Sequence, residues 1–161
     1  MQKITKKFIR ELSDKACQSG RKRVIHTYHT EASDLIQRML NVMEPETYSR
    51  PHKHLTPIKR EAFVILTGRV AVLEFDEDGK ISDLSVLSHE SGNFGAEIVP
   101  GAWHALVCLE NGSALYEVKD GPYIADEDKV FAPWSPEEYC GEAVAYLEGL
   151  KNEIRSLANL D

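Results

Sequence analysis

Between Val24 and Tyr123 the apolar positions come in short runs closed by turn residues, a pattern that predicts β-strands. The clearest runs are 37–43, 62–67, 69–75, 81–87, 103–109 and 113–118. Asp76-Glu77-Asp78-Gly79-Lys80 reads as a hairpin turn in which Gly79 is free to take positive φ, and Asn111-Gly112 reads as another. Several short strands at regular turns predict a sandwich or barrel rather than a βαβ fold.

The period changes at both ends. Phe8, Ile9, Leu12 and Ala16 recur at helical spacing within 4–17, with Lys and Arg between them, which predicts a short amphipathic helix. Arg21-Lys22-Arg23 follows Gly20 and reads as a solvated turn with a favourable charge at the helix end. Val130–Pro136 contains two prolines and is expected not to continue a sheet. From Glu137 to Leu160 a second helix is predicted, although Gly141 and Gly149 weaken it. Its Ala143, Leu147, Leu150, Ile154 and Leu157 make a narrow seam that either packs on the chain's own β core or pairs with a second copy as a homodimer. The division expected is an N-terminal arm over 1–30, a β domain over 31–136 and a C-terminal helix over 137–161.

Composition narrows the function classes. A chain of 161 residues suits one domain. Its net charge of −7 argues against nucleic acid as the main partner, since phosphate backbones require a basic face. A locally positive pocket for a small anion stays open. No apolar run is long enough for a membrane span, and the charged first 15 residues lack the apolar centre of a secretion signal. Cys17, Cys108 and Cys140 are odd in number and contain no C-x-x-C pair, so free thiols and a cytoplasmic location are expected.

The candidate chemistry lies in Tyr48-Ser49-Arg50-Pro51-His52-Lys53-His54, then Glu61 and Gly68, then Pro100-Gly101-Ala102-Trp103-His104. Strand alternation puts Tyr48, Arg50, His52 and His54 on one face, so that two imidazoles reach one ion from the same side. Glu61 heads an otherwise apolar strand, where an inward carboxylate needs a partner. With His104, three imidazoles and a carboxylate suit one divalent ion, iron, manganese, nickel or zinc, with positions left open for another ligand. His26, His29 and His89 are expected to be surface or core histidines.

These residues resemble the two cupin motifs. His52, His54, Glu61 and Gly68 are similar to the first, with six residues between the glutamate and the glycine, and Gly95 through His104 are similar to the second. Two departures stand out. Six residues (LTPIKR) separate His54 from Glu61 where the usual motif has three or four, and Cys108 stands where asparagine is frequent. QRMLNVMEPETYSRPHKH, FVILTGRVAVLEFDEDG, PGAWHALVCLENGS, EVKDGPY and FAPWSPEE further resemble the WbuC-like cupin metalloproteins, over roughly residues 4–138. The resemblance implies an all-β cupin core, a double-stranded β-helix or jelly-roll barrel, with a bound metal and an association with bacterial surface polysaccharide biosynthesis.

On that fold Tyr48, Arg50 and Glu97 are candidates to bind a small anionic or sugar-like ligand, with Arg50 pairing to a phosphate, sulfate or carboxylate. The bland alternative for Arg50 is a salt bridge to Glu97 or Glu117. Trp103 is expected to pack outward as core, and Cys108 to lie deeper on the face of His104. Trp134 either anchors the C-terminal helix or closes the barrel mouth, and Lys119 and Tyr123 fall near the rim. No catalytic residue is singled out. The functions left open are a sugar-modifying isomerase or epimerase, a non-catalytic metal-stabilised binding module, and an iron(II)-dependent dioxygenase.

Overall fold

Two antiparallel five-stranded sheets face each other in the computed structural model, which describes residues 1–160. In chain order the elements are α1 (Lys6–Gln18), β1 (Arg23–Thr27), β2 (Ile36–Met43), β3 (His52–Lys53), β4 (Glu61–Thr67), β5 (Arg69–Phe75), β6 (Ile81–Ser88), β7 (Gly95–Ile98), β8 (Trp103–Cys108), β9 (Ser113–Asp120), β10 (Val130–Phe131) and α2 (Gly141–Ala158). One sheet runs β1-β2-β9-β4-β7 and the other β10-β3-β8-β5-β6. The fold is the expected cupin sandwich with a helix at each end.

Strand alternation divides the apolar residues into three layers. Phe63 and Ile65 of β4, Val70 and Val72 of β5, Leu106 and Cys108 of β8, and Leu115 of β9 meet between the sheets. The alternate residues of the second sheet, among them Ala71, Leu73, Ala105 and Val107, point outward, where Leu147, Leu150 and Ile154 of α2 cover them. The helical seam is therefore satisfied by its own barrel, and Leu157, 55% exposed, lies outside it. On the opposite side Ile9 and Leu12 of α1 cover Leu40 and Val42 of β2. The Thr5 hydroxyl caps α1 by accepting from Phe8 N at 3.2 Å.

The hairpin at Asp76–Lys80 forms as expected, with Gly79 at φ 84°. A Cβ on Gly79 would lie 2.7 Å from Cδ2 of Trp134, which also packs with Phe75 and Trp103 in the layer under α2. Trp134 is thus an anchor beneath the C-terminal helix, not a cover for the barrel mouth.

Three expectations are corrected. Val130 and Phe131 do extend a sheet, pairing with Lys53 and His52, because Pro133 and Pro136 fall after them and leave their amides free to pair. Arg23 does not belong to a solvated turn: it opens β1 opposite Met43, and its side chain is only 9% exposed. α2 begins at Gly141 rather than Glu137, because Tyr139 adopts φ 70° in a turn that the helix cannot include. Gly141 therefore stands in the first turn and costs less than it would mid-helix. Among the described residues no helix is long and apolar enough to cross a membrane.

Candidate metal centre

The inward faces of the two sheets are apolar at one end and polar at the other. Along β4 the inward residues run Glu61, Phe63, Ile65, and along β8 they run His104, Leu106, Cys108, so Glu61 and His104 cap the same core. His52 on β3 pairs directly across from His104, and His54 follows one step past the strand end. The long connection after His54 still returns Glu61 to the cluster. One ligand atom from each of the four residues lies within 4.8 Å of the others, and all four side chains are buried.

Each ring is turned the same way. Nδ1 of His52 lies 2.9 Å from the Arg50 carbonyl, Nδ1 of His104 lies 3.0 Å from the Ala102 carbonyl, and Nδ1 of His54 meets the Asp128 carbonyl. A carbonyl only accepts, so each Nδ1 is the donor and each neutral ring presents its Nε2 lone pair inward. Two of those nitrogens, of His54 and His104, stand 3.1 and 3.0 Å from Glu61 Oε2. Lone pairs against a carboxylate oxygen at that distance require positive charge between them. Protonating several imidazoles in a buried site is costly. Burial, then the nearby Lys129 charge, holds His52 well below the usual imidazole range. A single cation shared by three imidazoles and a carboxylate satisfies all four groups, so this donor set fits a divalent metal.

The layer behind the cluster is also built. Asp128, whose carbonyl orients His54, binds Lys59 Nζ at 2.5 Å and Lys119 Nζ at 2.7 Å through its carboxylate. Glu117 of β9 accepts from Asn41 Nδ2 at 3.1 Å. Burial and the adjacent Glu61 push the Glu117 carboxyl up to about 8. For Glu61 burial acts upward, but positive charge shared with the His104 and His54 nitrogens holds it well below the carboxylate range. The two carboxyls are thus displaced in opposite directions, Glu61 down and Glu117 up.

A cavity of about 940 Å³ opens beside this layer. Glu117 and Asp128 form part of its wall, whereas the four clustered side chains do not. Arg50 lines it, with Nε donating to Ser135 Oγ at 3.2 Å and the guanidinium 5.0 Å from the Phe131 ring centre. Its carboxylate neighbour is Glu137 at 3.9 Å, not Glu97 or Glu117. Lys119 and Tyr123 also face the cavity.

Tyr48 and Glu97 are not brought there. Tyr48 donates its hydroxyl to the Pro136 carbonyl at 2.9 Å and packs against Tyr146 of α2. Glu97 is exposed on β7, the edge strand of its sheet. Tyr48 does not share the inward face of His52 and His54 because regular pairing begins only at His52, so alternation does not extend back along the segment. His26, His29 and His89 stay outside the cluster. Trp103 packs outward as expected, and Lys53, the outward residue between the two histidines, sits 4.0 Å above its ring. Sequence reasoning missed Lys59, Arg23, Asp128 and Lys129. A buried Lys or Asp carries no local signal that distinguishes it from a surface one.

A family model described as "Domain of unknown function (DUF6016)" matches residues 4–87. No curated protein matches the chain. Among solved structures, it is similar to the capsular polysaccharide assembling protein CapF from Staphylococcus aureus, with TM-score 0.56, 19% identity, and coverage of 70% of this chain and 30% of that one. It is also similar to the DMSP lyase DddQ from Ruegeria pomeroyi DSS-3, with TM-score 0.53, 16% identity and coverage of 71% and 54%. For an oxalate oxidase in complex with the substrate analogue glycolate the TM-score is 0.51, the identity 15% and the coverage 86% and 75%. The chain thus spans under a third of CapF and about half of the lyase. At these identities the likeness is one of fold.

Proposed function

The chain belongs to the DUF6016 family, and we propose that it is a metal-binding cupin of the WbuC-like kind that takes a small polar or anionic molecule beside its metal. The observation that carries the reading is the common orientation of three imidazoles: each is pinned through Nδ1 to a backbone carbonyl, two of them meet the same Glu61 oxygen, and all offer a ligand atom within 4.8 Å of the others. His52, His54, His104 and Glu61 would hold the ion, which when bound supplies Lewis acidity or redox chemistry according to its identity.

The chain's own residues supply the rest. The carbonyls of Arg50, Ala102 and Asp128 fix the ring tautomers, which raises the basicity of each donor nitrogen. Glu117, whose carboxyl is pushed up to about 8 by burial and the adjacent Glu61, faces the cavity, a position from which it can exchange a proton with a ligand atom. Leu106, Phe63 and the layer beneath them exclude water from the far side of the centre. The motif resemblance supports a sugar or sugar-nucleotide ligand and a place in bacterial surface polysaccharide biosynthesis.

The test is metal analysis of protein purified anaerobically, beside a His52→Ala/His54→Ala variant. About one equivalent of a divalent metal is expected in the native protein, and none in the variant. Equal metal in both would remove the site.

A further inference from the structure

We propose that the cavity contains an anion-binding site between Arg23 and Lys129, which takes the phosphate or carboxylate group of a small ligand. The site deepens the reading given above, resting on it only for the placement of the ligand's remaining atoms toward the metal centre.

Arg23 is the first residue of β1 and faces the space between the sheets, on the same side as Ile25. Its side chain is 9% exposed, yet it makes one ion pair, from Nη2 to Glu138 Oε1 at 3.2 Å. That carboxylate is shared with Arg21, which it meets at 3.2 and 2.9 Å. Arg23 Nε is buried with no hydrogen-bond partner. A buried guanidinium nitrogen left without an acceptor carries a cost that a native fold rarely leaves unmet.

Lys129 is the second half of the site. It lines the same cavity, and among the described residues it makes no ion pair or hydrogen bond. Arg23 and Lys129 line this cavity together with Glu117 and Lys119; burial lowers the Lys129 ammonium, an effect the carboxylate of Glu61 opposes. The buried acids of the wall are already engaged: both carboxylate oxygens of Asp128 are taken by Lys59 and Lys119, and Glu117 is paired with Asn41, whereas Asp126 and Glu137 of the same wall are exposed to solvent. Two like charges, one with an unfilled donor and the other with no partner, therefore share one cavity. An oxyanion between them satisfies both, and a planar guanidinium is suited to donate to two of its oxygens.

The rest of the cavity is shaped for a small organic body. Ile25 and Phe131 are 46% and 44% exposed and both lie in its wall, so apolar surface is available beside the cations. Its volume of about 940 Å³ is in the range of small-molecule sites.

Isothermal titration with inorganic phosphate and with succinate tests the site on the full chain, with metal content measured in the same samples and a chelator-treated sample run alongside. Lys129→Gln removes a side chain that has no hydrogen bond to lose, and Lys7→Gln, on the exposed face of α1, is the control. At least one of the two anions is expected to bind the native protein and the control, and to bind Lys129→Gln at least tenfold more weakly, with metal content unchanged. Phosphate alone would assign a phosphate ester, and succinate alone a carboxylate. Arg23→Gln should show the same loss if it folds.

Binding of neither anion, or equal binding by Lys129→Gln, would overturn the site even in fully metallated protein. Lys129-dependent binding in a protein that takes up no metal would leave the anion site standing and remove the metal reading instead.

Discussion

Asp128 serves the metal cluster and the fold with different atoms: its backbone carbonyl accepts from His54 Nδ1, and its carboxylate binds Lys59 and Lys119. The carboxylate side chain is 1% exposed, so this is a buried triad that ties the segment before β10 to β9 and to the connection before β4. It holds the carbonyl in the position from which it orients His54.

The triad gives a pH dependence with a definite sign. Burial pushes the Asp128 carboxyl up, but hydrogen bonds from Lys119 and Lys59 outweigh it, and the net displacement is below the ordinary value of 3.8. A depressed carboxyl binds fewer protons folded than unfolded. Its stabilisation is therefore fully present above the ordinary value and is lost as pH falls through the lower folded one. Asp128→Asn should reduce the steepness of acid unfolding below about pH 4. At neutral pH it should cost about 3–5 kcal/mol, since it leaves two buried ammonium groups without their counter-charge. Urea unfolding across pH measures both effects.

The sequence offers both Glu61 and Glu97 as site carboxylates, and the fold separates them. Glu61→Gln keeps the shape of the cluster but removes the charge that balances a cation, so metal content should fall sharply. Glu97→Gln changes an exposed residue on an edge strand and should leave metal content at the native level. Parallel metal analysis of the two variants decides; full metal in Glu61→Gln would mean that the carboxylate is not a ligand.

Ile154 and Leu157 belong to one helical seam but differ in environment. Ile154 is fully buried against the outer face of the second sheet, so Ile154→Ala should cost about 2–5 kcal/mol. Leu157 is 55% exposed, and Leu157→Ala should fall within about 0.5 kcal/mol of the native protein. Thermal or urea unfolding separates them, and equal effects would contradict the packing of α2.

Cys108 stands on the inward face of β8, with its thiol bonded to the Met43 and Glu110 carbonyls. Burial pushes the thiol up to about 11. A thiol-disulfide reagent at neutral pH should label exposed Cys17 and reach Cys108 only after denaturation. Rapid labelling of Cys108 in the native state would show that the core opens.

Gly68 ends the first motif for a steric reason. It takes φ 77°, and a Cβ there would lie 2.3 Å from Ser113 Oγ, the atom that accepts from Arg69 N at 3.0 Å. Gly68→Ala should cost at least about 1–2 kcal/mol from the left-handed backbone alone, before the clash with Ser113 is counted. A smaller loss of stability on urea unfolding would mean that the turn relaxes.

Much of the molecule follows from local order in the chain. Alternation marks β2, β4, β5, β6, β8 and β9, because strand residues alternate faces whatever the partner strand is. The spacing His52, His54, Glu61, His104 is legible for a related reason: the two histidines share parity, and the other two residues head strands whose following apolar residues face inward. The seam of α2 is equally readable from its period, but whether it faces its own sheet or a second copy is not a local property.

What only the tertiary structure decides is which remote residues meet. Arg23, Glu117, Asp128 and Lys129 come from three separate segments, and their proximity depends on strand register and on the closure of two sheets over one interior. The same closure turns a basic residue from a presumed turn into a buried guanidinium, and a short pairing with β3 makes Val130–Phe131 a strand despite the prolines that follow. Side-chain period is set residue by residue along the backbone and can be read from the sequence. The environment of a charge is set by everything that packs around it, and exists only once the barrel has closed.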